Sequence, residues 1–276
     1  KMIPQKTIEE LINKHLNLEK DLSSGEIDKK KFAEKSKEYS NINEIIQEAK
    51  KYLSFEKEFL CVLIDLPGHG DSLNFSNSMI SMKAMAIEVR KVMDELNITE
   101  YSVIGHSMGG KVAMLLATSY PDLVSKLVIA DIGPKYYAPH HQTILAGLNA
   151  VDFSKNPSRS EVEQIVSNCI TDFGTRQFLL KNLYWKTPEH LAFRFNLQVF
   201  NDKIQKIGTA LPFENKFNGP TLFLRGAQSD YILDADFETI YCHFSLATIV
   251  TIANAGHWLH AENPKDFFQE VLHFLK

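Results

Sequence analysis

A serine between glycines, in the run YSVIGHSMGGKVAML from Tyr101 to Leu115, is the plainest chemical signal in this sequence. A serine hydroxyl is a poor nucleophile at neutral pH and needs a nearby base and donors for the oxyanion it creates. Gly105-His106-Ser107-Met108-Gly109 has the G-x-S-x-G spacing of a sharp strand-to-helix turn. Such a turn lifts the serine above a sheet, and its glycines let backbone pass close by. The setting agrees: YSVIG reads as a short apolar strand, and GGKVAMLLATSY as a helix stopped by Pro121. The competing reading is an ordinary tight turn with a capping serine. A helix opening at Met108 aims its free N–H groups at the same spot, so the Met108 N–H is the expected oxyanion donor.

The base should come later in the chain, after an acid. Among ten histidines, His257 in NAGHWLHAENP lies in a loop between the last apolar run and the last helical pattern. A lone loop histidine is usually a surface residue; paired with the turn at Ser107, catalysis becomes the favoured reading. His260 has a weaker claim, and His106 fits as packing inside the turn. Two aspartates compete as the acid. Asp131 ends the run VIADIGP, and Asp230 follows the next apolar run in RGAQSDYI. Either could orient an imidazole and stabilise its charged form, and either could instead cap a loop. Asp65 and His69, in PGHGDS, read as parts of a rigid turn.

The elements that must hold these residues alternate. Apolar runs at 59–65, 101–105, 126–132, 220–226 and 247–254 read as buried strands, separated by helical patterns at 82–96, 109–120 and 264–275. Continuous apolar strands between helices argue for a parallel α/β sheet. Residues 134–215 are irregular and rich in Tyr, His and Phe. Tyr136, Tyr137, Phe153, Trp185, Phe193 and Phe195 read either as the wall of an acyl pocket or as core of their own segment. Arg194 and Asn196 read as structural polar groups in an apolar stretch.

In this order, DLPGHGDS, GHSMGGKVAMLLA, LVIADIGP, PTLFLRGAQSDYI and NAGHWLHAENPKDF resemble the α/β-hydrolase superfamily over residues 59–276. GHSMGGK with ADIGP is most similar to its small acyl-ester hydrolases. The resemblance implies a Ser-His-Asp triad of Ser107, His257 and either Asp131 or Asp230. Asp131 ranks first because that subfamily places its acid on the strand after the elbow helix. The resemblance also implies a helical lid over residues 134–215, and no cofactor or metal. It further implies three strands ahead of LCVLID, the third carrying a His-Gly loop with a second oxyanion donor. Here a charged segment stands in their place, so the expected fold is an incomplete α/β hydrolase with a mostly parallel sheet.

That segment, residues 1–58, holds 12 lysines and 12 acidic residues of the chain's 30 basic and 34 acidic ones, so it differs in kind from the rest. Its pattern predicts an α-helical hairpin. Thr7-Ile8-Glu9-Glu10 has capping-box spacing ahead of Ile8, Leu11, Ile12, His15, Leu18 and Leu22. After the break SSGEID, a second helix runs through Phe32, Tyr39, Ile42, Ile45, Ile46, Ala49 and Leu53. DLSSGEIDKKKFAEKSKEYSNINEIIQEAKKYLSFEKE resembles the N-terminal helical region of a bacterial class-one peptide chain release factor. The chain has no Gly-Gly-Gln, the tripeptide by which that family acts, so the resemblance carries at most ribosome contact.

Composition sets the outer bounds. A net charge of −4 supplies no basic field for nucleic acid or anionic lipid. Cys61, Cys169 and Cys242 are odd in number and far apart, which suits a reducing cytoplasm. No run suggests a membrane helix, and KMIPQKTIEE lacks a signal peptide's apolar core. The opening Lys1 reads as a fragment or trimmed product. The expected function is hydrolysis of a small-molecule acyl ester, impaired by the missing strands. Two alternatives stand: an inactive fusion whose first helices dock on a ribosome, and another reaction of the same fold, such as C–C hydrolysis, lysis or haloperoxidation.

Overall fold

The computed structural model describes residues 5–23, 31–40, 42–43, 46, 58–73, 80–138 and 142–276. The chain divides into two compact units, Lys1–Ile64 and Asp65–Lys276.

In the first unit, helix α1 spans Gln5–Ser23 and residues 31–40 form α2. Leu18, Ile42 and Ile46 are buried together, with Leu11, Ile12 and Tyr39 packed against them. Their spacing puts them on facing sides of two helices, which a hairpin needs because neither helix is stable alone. His15 stacks on Tyr39 at 4.5 Å and meets Asn43 Oδ1 at 2.9 Å through Nε2. Ion pairs Lys14–Glu38 and Lys35–Asp21 join the polar faces. Thr7 is not the cap the sequence suggested: α1 already includes Gln5 and Lys6, both good helix formers, so Thr7 lies inside the helix. Ile45, Ala49 and Leu53 lie outside the described residues, as does most of the SSGEID break.

The second unit is built on four parallel strands in the order β1-β2-β5-β6: β1 Tyr101–His106, β2 Val124–Ala130, β5 Thr221–Gly226 and β6 Ala247–Ile252. Alternation decides the layers. Leu127, Ile129 and Phe223 face a core that includes Val112, Met114 and Leu116 of α4, Met108–Ser119, and Met85 of α3, Met82–Glu95. Val128, Ala130, Leu222 and Leu224 face the other side, where Leu259 of α10, Leu259–Glu262, and Val271 of α11, Pro264–Leu275, cover them. Both central strands are buried on both faces, which is why their sequences are continuously apolar. Residues 59–64, read as a strand, belong to the first unit and carry no ladder among the described residues.

The segment after β2, the expected lid, has a core of its own. Helices α5 Gln142–Asn149, α6 Arg159–Ser167 and α7 Phe173–Leu180 precede an antiparallel hairpin of β3 Leu183–Thr187 and β4 His190–Phe193, and α8 Leu197–Ile207 follows. Leu148, Val162, Val166, Leu183, Leu191 and Phe193 are buried together here. The hairpin was not anticipated, although YWKT and HLAF around Pro188 carry a strand-turn-strand signal. A capping box does occur, at Ser158 and Glu161 on α6.

Candidate active site

Ser107 joins β1 to α4 with φ 53° and ψ −119°, a conformation that L residues rarely adopt. Two glycines make the bend sterically possible. A Cβ on Gly105 would lie 2.4 Å from the Gly109 carbonyl oxygen, and one on Gly110 would lie 2.5 Å from Ile132 Cγ2. Gly109 has nothing within 4 Å of such a Cβ, so the bend does not require glycine there. Backbone bonds pin the turn: the Ser107 N–H donates to Ala130 O at 3.1 Å, and Lys111 N–H donates to Ser107 O at 3.1 Å. Met108 opens α4, so its N–H lacks an intrahelical acceptor and stands beside the serine.

His257 sits in the loop between β6 and α10, within reach of that serine. Its Nε2 lies 3.1 Å from Ser107 Oγ, and its Nδ1 lies 2.8 Å from Asp131 Oδ2. An ionised carboxylate can only accept, so Nδ1 carries the proton and Nε2 is left as an acceptor for the serine hydroxyl. Asp131 ends β2 at φ 49° and is 0% exposed. Its charge is met by three donors: His257 Nδ1–H, Gly226 N–H at 3.0 Å on Oδ1, and the Ser229 hydroxyl on Oδ2. Asp230, one residue beyond Ser229, is exposed in the same loop, and His257 bonds Asp131 instead. The sequence left these two open, and Ser229 escaped notice; its only signal was its position beside a candidate acid.

The residues around His257 are aromatic or titratable. His106 Nε2–H donates to the His257 carbonyl at 2.7 Å, and the two rings are 4.7 Å apart. Burial, then the neighbouring His257, pushes the His106 pKa down to about 4, so at neutral pH it is an uncharged donor. The His260 ring lies 4.9 Å from that of His106, its pKa also lowered, chiefly by burial. Trp258 stacks on Phe178 of α7 at 3.8 Å, joining the lid to this loop. Lys111 is buried in α4 and donates to Lys135 O; burial, then Lys135, lowers its pKa to about 7.

The lid aromatics divide. Phe193 packs against both Phe153 and Phe195 at 5.1 Å in this segment's core. Tyr136 and Trp185 are exposed, and Tyr137 donates its hydroxyl to Tyr231 O at 2.6 Å. Residues 194 and 196 are tied to the 66–73 turn through their backbone: Gly70 N–H donates to Arg194 O at 2.7 Å, and Asn196 N–H to Gly68 O at 2.8 Å. Asn196 also caps α8 through Val199 N–H and donates from Nδ2 to Leu73 O. The turn at 66–73 is thus a fastening for the lid. Asp65 accepts the Asp71 N–H within it, and His69 packs on Phe200. Among the described residues, no three His, Cys, Asp or Glu side chains are grouped to hold a metal ion. No described helix is long and apolar enough to cross a membrane.

Known proteins match both ends of the chain. A sequence profile for the alpha/beta hydrolase fold matches residues 39–155. The sn-1-specific diacylglycerol lipase ABHD11 of Mus musculus is 35% identical over 218 residues, covering 77% of this chain and 70% of that protein. The solved structure of a marine microorganism esterase is similar with a TM-score of 0.77 and 36% identity, over 82% of this chain and 88% of that one. Peptide chain release factor 1 of Pelagibacter ubique (strain HTCC1062) is 70% identical over 57 residues, which are 21% of this chain and 16% of that protein. Likeness of this extent, on a parallel sheet with a strained serine turn at its carboxyl edge, places the chain in the α/β-hydrolase family.

Proposed function

We propose that the chain is a serine hydrolase cleaving a small acyl ester or thioester, with Ser107 as nucleophile, His257 as proton carrier and Asp131 as its orienting acid. The observation that carries this reading is the unbroken hydrogen-bond line from Ser107 Oγ through both nitrogens of His257 to Asp131. Ser107 Oγ adds to the substrate carbonyl while its proton passes to His257 Nε2. The oxyanion is met by the Met108 N–H, and Asp131 stabilises the imidazolium. Collapse expels the alcohol or thiol, which leaves with the proton from Nε2. Water, deprotonated by the same nitrogen, then adds to the acyl carbonyl; collapse breaks the bond to Ser107 Oγ, which takes the proton back from Nε2 as the acid is released. Relatives described as an esterase and a diacylglycerol lipase favour an ester bond as the target.

The hydrolase resemblance assigns a second oxyanion donor to a strand whose place residues 1–58 occupy. Turnover on this reading runs about 10²–10³-fold slower than with two donors. The same reading divides the chain into a release-factor-like hairpin, 1–58, and a truncated hydrolase domain, 59–276, lidded by 134–215. Fluorophosphonate labelling read by mass spectrometry tests it. An adduct on Ser107, absent in Ser107→Ala, is the expected result; a sample shown to be folded by its circular-dichroism melt and still unlabelled overturns it.

The 70% identity of the first segment to a release factor favours a second role, docking on the translation apparatus. Co-sedimentation of the full chain with ribosomes, lost when residues 1–58 are deleted, is its expected signature. Equal pelleting of both forms removes it.

A further inference from the structure

We propose that Tyr231 is a positioning residue for the base: its ring, laid face to face on the His257 imidazole and held there through Tyr137, keeps Nε2 aimed at Ser107 and favours the imidazolium. This deepens the proposed function and rests on His257 being the group that takes the Ser107 proton. The two rings are 3.8 Å apart at 14°, in parallel overlap. An aromatic face is electron-rich, so it attracts a cation formed over it, and it blocks the rotation that would swing Nε2 off the serine.

The charged and titratable groups around the imidazole leave this role to Tyr231. Asp131 engages its Nδ1 edge and Ser107 its Nε2 edge. His106 borders it with an uncharged ring, and His260 meets the His106 ring edge-on at 4.9 Å. Glu262 is occupied by the Gly256 N–H. Trp258 meets the imidazole edge-on at 5.2 Å and 61°, so among the described residues Tyr231 alone lies flat on its face at stacking distance; burial, then Asp131, raises the Tyr231 phenol to about 12, so the ring stays neutral.

Its own placement is over-determined. The Tyr231 N–H donates to Ser229 Oγ at 3.3 Å, tying it to the hydroxyl that also serves Asp131. Its carbonyl accepts the Tyr137 hydroxyl at 2.6 Å, and that hydroxyl accepts Gly133 N–H at 2.8 Å. The Tyr137 ring carries Lys111 Nζ at 4.9 Å and Lys135 Nζ at 5.2 Å from its centroid, and Lys135 pairs with Asp236. A chain of contacts therefore runs from the elbow helix, at Lys111, to the imidazole face.

Steady-state hydrolysis of p-nitrophenyl acetate by the full chain tests the proposal. Tyr231→Leu should lower kcat about tenfold, within the reach of a desolvated cation–π contact, with KM little changed. Tyr231→Phe keeps the ring and should restore kcat to near the starting value. Tyr137→Phe removes only the hydroxyl that holds Tyr231 and should fall between. Equal loss in the Leu and Phe variants, or full activity in Tyr231→Leu while Ser107 still labels, overturns the inference and leaves the hydrolase reading intact. A folded, unmodified chain that takes no label at Ser107 removes the base and this inference with it. If Tyr231→Leu does not fold, NMR of the unmodified chain decides. A stacked ring shifts the His257 ring protons upfield, and ordinary positions for them refute the stack.

Discussion

At the scale of single residues, position within the turn governs chemistry more than residue type. Asp131 and Asp230 are the same side chain at the carboxyl ends of neighbouring strands, yet one is buried against His257 and the other is exposed. Asp131→Asn should lower kcat/KM by about 10⁴, because an amide no longer fixes the His257 tautomer. Asp230→Asn should leave it nearly unchanged, and steady-state kinetics on the pair checks both. The motif around Ser107 and the chain order of His257 were legible in sequence. Spacing alone left two aspartates open as the acid, since both follow apolar strands; the resemblance ranked Asp131 first, and it is Asp131 Oδ2 that lies 2.8 Å from His257 Nδ1. His106 gives a pH prediction. Its folded pKa, about 4, is below the usual 6.5, so the unfolded chain takes up the proton first. Its contribution is complete above pH 6.5 and is lost as pH falls toward 4, at up to about 1.4 kcal/mol per unit. Melting temperatures across that window should fall less steeply in His106→Gln than in the unmodified chain.

At the scale of elements, the strands at 124–130 and 221–226 were readable because strands buried on both faces must be apolar throughout, while those at 101–106 and 247–252, only partly buried, showed as short apolar runs between helical patterns. The individual elements within 142–207 were not, because the helices there are short and their core mixes residues from helices, a hairpin and a loop. The elbow separates glycines of identical appearance. Gly105→Ala and Gly110→Ala should each destabilise the fold by about 1–3 kcal/mol, since backbone or a branched side chain stands in the way. Gly109→Ala meets open space inside a helix and should gain up to about 1 kcal/mol. Chemical denaturation of the three variants checks this ordering. On the lid, Asn196→Ala removes the α8 cap and the Leu73 tie together, and should cost about 1 kcal/mol or more in the same measurement.

At the scale of the whole molecule, the sequence change near residue 58 marked two differently built parts, and compactness divides the chain at Ile64 and Asp65. A charged hairpin and a buried sheet draw on different residues, which is the physical content of the change in composition. The exact joint stayed hidden, since FLCVLI has the apolar content of either. In the larger unit, the C-terminal helix closes one face of the sheet. Lys126 Nζ donates to the Phe274 and Leu275 carbonyls at 2.9 Å, and Val271 covers the strands. Deleting residues 264–276 should expose Val128, Leu222 and Leu224 to water and drive the chain into the insoluble fraction on expression, with soluble yield as the measurement.

Five non-glycine residues among those described have positive φ; three are asparagines, which tolerate it, and the other two are Ser107 and Asp131. Such backbone costs on the order of 1–3 kcal/mol where a side chain must bear it. Reactivity and robustness therefore pull against each other at residue 107. Exchanging that serine for glycine should yield a more heat-resistant but inert protein, so selection for thermal endurance alone would steer this lineage toward losing its chemistry.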